Sequence, residues 1–147
     1  MIKLLAGVLL TVACLAGEAV PVCSAVTADE ARTVLGPSAK RTNDPSGCVW
    51  EDADHKKNMN VVRVGVAAMF ERARASSATK GKTQAENGLG GTAFSTIPSA
   101  GHGGRAAIYL LKESAILIVD IDGFPAGGAE DRLPQMRELA RKLALKL

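Results

Sequence analysis

Aromatic residues are scarce. They make up 3% of the 147 residues, as Trp50, Phe70, Phe94, Tyr109 and Phe124. A core must then be built from Val, Ile, Leu, Ala and Met, with those five as isolated bulky pieces. The shortage also counts against nucleic-acid binding, which usually combines stacking aromatics with a basic stripe. Here basic and acidic residues are interspersed and the net charge is only +3. Histidine is rarer still, at two residues. Neither stands at ligand spacing from the three cysteines, so no metal and no cofactor is expected. There is no internal repeat and no low-complexity segment. What the chain does have is apolar residues, at 47%, which marks it as globular rather than disordered.

The first residues read as a targeting segment. Lys3 supplies a positive start, Leu4 to Leu15 is an apolar run, and Ala16-Gly17-Glu18-Ala19 is rich in small residues. That is the three-part layout of a secretory signal. The run is about 12 residues, short of the roughly 20 that span a bilayer. Cleavage after Ala19 makes residues 1–19 a signal peptide and 20–147 a single domain. A second reading takes Thr11-Val12-Ala13-Cys14 as a lipobox with Cys14 as the lipidated first residue. A third keeps the segment as an uncleaved anchor. The first two readings both give an extracytoplasmic protein. Membrane attachment is expected only if Cys14 is lipidated.

Without Cys14, the domain keeps Cys23 and Cys48, 25 positions apart. In an oxidising compartment an even pair most simply forms one disulfide; the alternative is two buried thiols. The spacing is unlike the Cys-x-x-Cys of redox-active pairs.

Thr27-Ala28-Asp29-Glu30 has the form of a capping box and predicts a helix through Leu35, stopped by Gly36-Pro37. Short strands are expected over 38–43 and 48–51, flanking a turn at Asp44-Pro45-Ser46-Gly47. Alternation predicts a strand over 58–66. An Ala-rich helix follows over 67–79, with Phe70, Ala73 and Ser77 on one stripe, ended by Lys80-Gly81-Lys82. A strand over 93–97 lies between Gly-rich loops at 87–92 and 99–104. Runs over 105–112 and 114–121 form a hairpin turning at Lys112-Glu113. A final helix over 130–147 carries Leu133, Met136, Ala140, Leu143 and Leu147 on one stripe. This order predicts an α+β fold, an antiparallel β-sheet with helices packed on it and one disulfide.

Candidate chemistry is thin. Asp120 and Asp122 share a face if they lie on a strand, but Ile118 and Ala129 stand where a calcium loop needs oxygen ligands. His102 sits among Gly101, Gly103 and Gly104, and Ser95, Ser99 and Asp120 form no nucleophile elbow with it. His55 lies in a charged turn and reads as solvated surface. Gly88-Leu89-Gly90-Gly91 precedes a strand rather than a helix, so it is a turn and no phosphate cradle.

Several short motifs occur in a familiar order. They are Cys23-Ser24-Ala25-Val26-Thr27 before the first helix, then Gly47-Cys48-Val49-Trp50, then Gly88-Leu89-Gly90 with Ala93-Phe94, then an Ala/Leu/Arg helix. The chain resembles the bacterial exported proteins and lipoproteins of domain-of-unknown-function family 3558. Gly91 stands where that family usually has an acidic residue. The resemblance implies a Cys23–Cys48 bridge and an antiparallel α+β fold, and no catalytic residues. The expected function is thus that of an exported, non-enzymatic envelope domain binding a protein or small ligand. Its working surface would be the loops carrying Asn87, Gly88, Gly90, Gly91 and His102. Two alternatives are a small secreted hydrolase using His102 and a structural envelope lipoprotein anchored at Cys14.

Overall fold

A computed structural model describes residues 19–42 and 48–146. Residues 1–18, which include Cys14, residues 43–47, which include the turn at 44–47, and Leu147 lie outside the described residues. Within them the chain forms helices α1 (Ala28–Leu35), α2 (Met69–Lys80) and α3 (Leu133–Lys146). The strands are β1 (Ala19–Pro21), β2 (Lys40–Arg41), β3 (Val49–Glu51), β4 (Asn58–Val64), β5 (Gly81–Glu86), β6 (Thr92–Pro98), β7 (Ala106–Lys112) and β8 (Ala115–Asp122). They make one antiparallel sheet in the order β2-β3-β4-β8-β7-β6-β5, with β1 sharing the outer edge of β4 with β3. The α+β expectation is met, and so is the disulfide, which links Cys23 to Cys48 with Cα atoms 5.1 Å apart.

Local sequence explains the helices. Thr27 Oγ1 accepts from the Glu30 amide at 3.2 Å, and the Glu30 carboxylate accepts from the Thr27 amide at 2.9 Å. This capping box satisfies two orphan donors at the start of α1. Ala31, Val34 and Leu35 are the buried stripe, and Gly36 at φ +114° ends the helix. In α3 the buried stripe is Leu133, Met136, Leu139, Ala140, Leu143 and Ala144. A 3-10 turn over Glu130–Arg132 precedes it, so the regular helix starts later than expected.

The sheet is apolar on both faces. The row Val61, Val119 and Ile108 crosses β4, β8 and β7 and is buried under α1 and α3. The adjacent row Val62, Ile118, Tyr109 and Phe94 points the other way, towards α2. That opposition follows from the two-residue period of a strand. Phe70 is the buried residue of α2, set edge-on to Phe94 with ring centres 5.2 Å apart. Phe94 in turn stacks on Tyr109 at 4.7 Å. Burying such an aromatic stabilises by about 1.5–3 kcal/mol, so this cluster is the main attachment of α2.

Two strands were not expected. β1 is only three residues long. β5 follows α2 without an intervening loop, so Lys80-Gly81-Lys82 is a helix-to-strand junction. Gly81 is needed there, because a Cβ would fall against the backbone of Ile97 and Pro98. The β7–β8 hairpin turns at Glu113-Ser114, one residue later than expected, with Glu113 at φ +55°.

Candidate functional site

The sheet face that carries α2 is only partly covered, and a cleft of about 310 Å³ opens between the helix and the strands. Its wall is the C-terminal half of α2, with Ser76, Ser77 and Lys80. Its floor is Thr96 on β6, Ala107 and Tyr109 on β7, and Asp120 on β8. Pro98 and Arg105 stand at its rim. The volume sits at the small end of the roughly 300–1,000 Å³ typical of small-molecule sites.

One ion pair dominates the cleft. Arg105 Nε donates to Asp120 Oδ1 at 3.1 Å and Arg105 Nη2 to Asp120 Oδ2 at 3.0 Å. This is the bidentate geometry of guanidinium and carboxylate. The Asp120 side chain is 22% exposed and that of Arg105 50%. Burial pushes the Asp120 carboxyl up, with the Arg105 guanidinium pulling the other way and Asp122 adding to the rise. The hydrogen bonds and charge of Asp120 raise Arg105 further. Burial also raises the Tyr109 hydroxyl.

The structure separates several residues that the sequence suggested as one surface. Asn87, Gly88, Gly90 and Gly91 lead into β6, whereas the loop holding His102 leaves its far end. Seven residues of strand put the two loops about 20 Å apart. The first loop is a packing element: Leu89 is fully buried and Arg141 Nε donates to the Gly88 carbonyl at 3.0 Å. A Cβ on Gly91 would fall against the Leu111 carbonyl, which accounts for glycine there. The second loop borders the cleft, since its roots are Pro98 and Arg105. His102 itself is exposed and left-handed at φ +47°. Its backbone is tied to Ser99 and to the loop after β8 through Gly127.

Of the residues of the hydrolase alternative, Ser99 adjoins His102, whose amide donates to the Ser99 carbonyl at 3.2 Å, whereas Ser95 and Asp120 are set apart. Ser95 lies on the α3 face, where it bonds Glu86, while Asp120 lies on the opposite face and holds Arg105. Asp120 and Asp122 do share one face of β8, as strand periodicity requires. Among the described residues no group of three or more His, Cys, Asp or Glu side chains is placed to hold a metal ion. His55 is exposed, and its Nδ1 lies 2.5 Å from Glu51 Oε2, which raises the imidazole above its ordinary value.

Sequence reasoning missed Arg105, Ser76 and Lys80 as site residues. Lys112 to Ala106 read backwards from the hairpin would have placed Tyr109 and Ala107 opposite Ile118 and Asp120. The stripe Phe70, Ala73 and Ser77 did put Ser77 on the sheet side of α2, but nothing in the helix marks Ser76 or Lys80.

Fold and site together define a three-layer α+β domain, α1 and α3 on one side of an antiparallel sheet and α2 on the other, with a small polar cleft beside α2. No protein-family model matches the chain, and no curated protein matches it. Its structure is similar to the solution structure of cyanobacterial PsbP (CyanoP) from Synechocystis sp. PCC 6803. The TM-score is 0.37 and the identity 11%, over 74% of this chain and 80% of that one. Among the described residues no helix is long and apolar enough to cross a membrane.

Proposed function

We propose that the chain is an exported, non-enzymatic domain of the cell envelope that holds a small ligand in the α2 cleft. The observation that carries this reading is the cleft itself, with a charged pair half-sunk in its floor. Holding Arg105 and Asp120 partly out of water costs stability that an apolar pair would not, which is a common mark of a functional site. Export is supported by the leader-like segment and by the Cys23–Cys48 disulfide, a bond that persists in oxidising compartments. The motif order shared with family 3558 supports an envelope setting. Binding without turnover is supported by Ser95 and Asp120 facing opposite sides of the sheet.

Native mass spectrometry of protein isolated from its own envelope tests the reading. The wild-type chain should carry a small-molecule adduct. Ser77→Trp, which fills the cleft from the helix side, should lose it while keeping its thermal midpoint. An adduct retained by that variant would move the site elsewhere; its absence from both proteins would remove the proposal.

A further inference from the structure

The chemistry of the cleft selects among ligand classes. Arg105 spends two of its five N–H groups on Asp120, leaving three donors. The two carboxylate oxygens retain further lone pairs as acceptors. Donors and acceptors therefore stand side by side on a unit with no net charge. An anionic ligand can meet the free Arg105 donors and the Lys80 ammonium at the wall, but it faces the like charge of Asp120. A cationic ligand can meet the free lone pairs of Asp120, but it faces Arg105 and Lys80. A ligand of either charge therefore uses one half of the pair and is repelled by the other, whereas hydroxyl groups use both.

Backbone recognition is also closed off. The floor strands β6, β7 and β8 are interior to the sheet, each bonded on both sides, so an extended peptide finds no free edge there. Recognition must come from side chains alone. Those are the ion pair, the exposed Lys80 at the wall, the hydroxyls of Ser76, Ser77 and Thr96, and the apolar surfaces of Ala107, Pro98 and Tyr109. A ligand matching them has neighbouring hydroxyl groups, each able to donate and accept, and one C–H face to lie on the apolar floor. From this we infer that the cleft takes one unit of a neutral saccharide, with a pair of adjacent hydroxyls on Arg105 and Asp120. The inference rests on the cleft being the binding site, and adds the ligand class to it.

The test is a titration of the ¹⁵N-labelled exported protein, followed by amide correlation spectra. The probes are methyl α-glucoside, methyl α-mannoside and methyl β-galactoside, with glucuronate and a capped trialanine as charged and peptide counterparts. At least one neutral glycoside should give saturable shifts confined to residues 76–80, 96–98, 105–109 and 120. Ser77→Trp and Asp120→Asn should each weaken that titration by tenfold or more. If Asp120→Asn fails to fold, Ser77→Trp alone decides, because position 77 lies on the surface of α2. Glucuronate should bind no more tightly than the neutral probes. Saturable cleft shifts from glucuronate or trialanine alone would overturn the saccharide assignment and leave the cleft as a binding site. No cleft shifts with any probe would overturn the assignment too; a native adduct lost in Ser77→Trp would then still uphold the cleft.

Discussion

Arg137 on α3 and Glu86 at the end of β5 form the most buried ion pair described. Arg137 Nε donates to Glu86 Oε2 at 2.6 Å and Nη2 to Oε1 at 2.8 Å, with side chains 29% and 6% exposed. Burial works to raise the Glu86 carboxyl, yet hydrogen bonds from Arg137 and Ser95 and the charge of Arg137 overcome it and hold the group below its ordinary value of 4.5. Arg137→Met keeps most of the aliphatic stem and removes the charge. Breaking a fully buried pair from one side costs about 3–5 kcal/mol. Here Arg137 stands partly in water, so solvent can reach the vacated side of Glu86. A loss of about 2–3 kcal/mol at pH 7 is expected, near the scale of a charged hydrogen bond.

The pH dependence reverses between the two proteins. In the wild type a depressed carboxyl contributes stability above its unfolded value, and that contribution is lost as pH falls through the folded value. In Arg137→Met the counter-charge is gone and burial dominates, so Glu86 titrates above its ordinary value. Its penalty is then largest at neutral pH and shrinks on acidification. Urea unfolding followed by far-ultraviolet circular dichroism, at several pH values between 4 and 7, measures both curves. The gap between them should narrow towards pH 5 and below. Glu86→Gln combined with Arg137→Met should be more stable at pH 7 than Arg137→Met alone. A gap under about 0.5 kcal/mol at pH 7, or one unchanged by pH, would refute the reasoning.

Four further outcomes follow from the geometry. Reducing the Cys23–Cys48 bond, which spans 25 residues, should lower unfolding stability by about 3.5 kcal/mol by loop entropy, read as a shift in urea midpoint with and without reductant. Thr27→Ala removes the hydroxyl half of the capping box and should cost about 1 kcal/mol, visible as a lower thermal midpoint with little change in helix content. Gly123→Ala places a Cβ against the Lys56 carbonyl at φ +82°, and should cost roughly 2–5 kcal/mol from strain and overlap together. Gly127→Ala, at φ +76° with open space around it, should cost only about 1–2 kcal/mol; equal losses at the two glycines would show that the Lys56 contact is relieved by movement.

Helices α1 and α3 were legible because capping and 3.6-residue periodicity are local signals. Strands β4 and β8 were legible from β-branched runs, and β7 from its apolar run before the hairpin turn. β5 was not, since Gly-Lys-Thr-Gln-Ala-Glu carries no apolar alternation. What holds it is non-local: six residue pairs with β6, the Lys82–Glu130 contact and the Glu86–Arg137 pair. One signal for the two-sided sheet was present. The unbroken run Ile116-Leu117-Ile118-Val119 has no polar face, as in a strand covered on both sides.

That run also explains why the cleft escaped sequence reading. Towards the β7–β8 hairpin the second face is apolar, with Ile116, Ile118 and Tyr109, and there α2 seats Phe70. Towards Asp120 the same face turns polar, and α2 offers only serines and Lys80 above it. A helix fixed at one end by an aromatic cluster, and at the other by direct continuation into β5, must span the gap between without filling it. The cleft is therefore a consequence of where apolar side chains stop on one face of β7 and β8. No contiguous motif records that boundary; it emerges only when the register sets Asp120 beside Ala107, two pairs along from Tyr109 and Ile118.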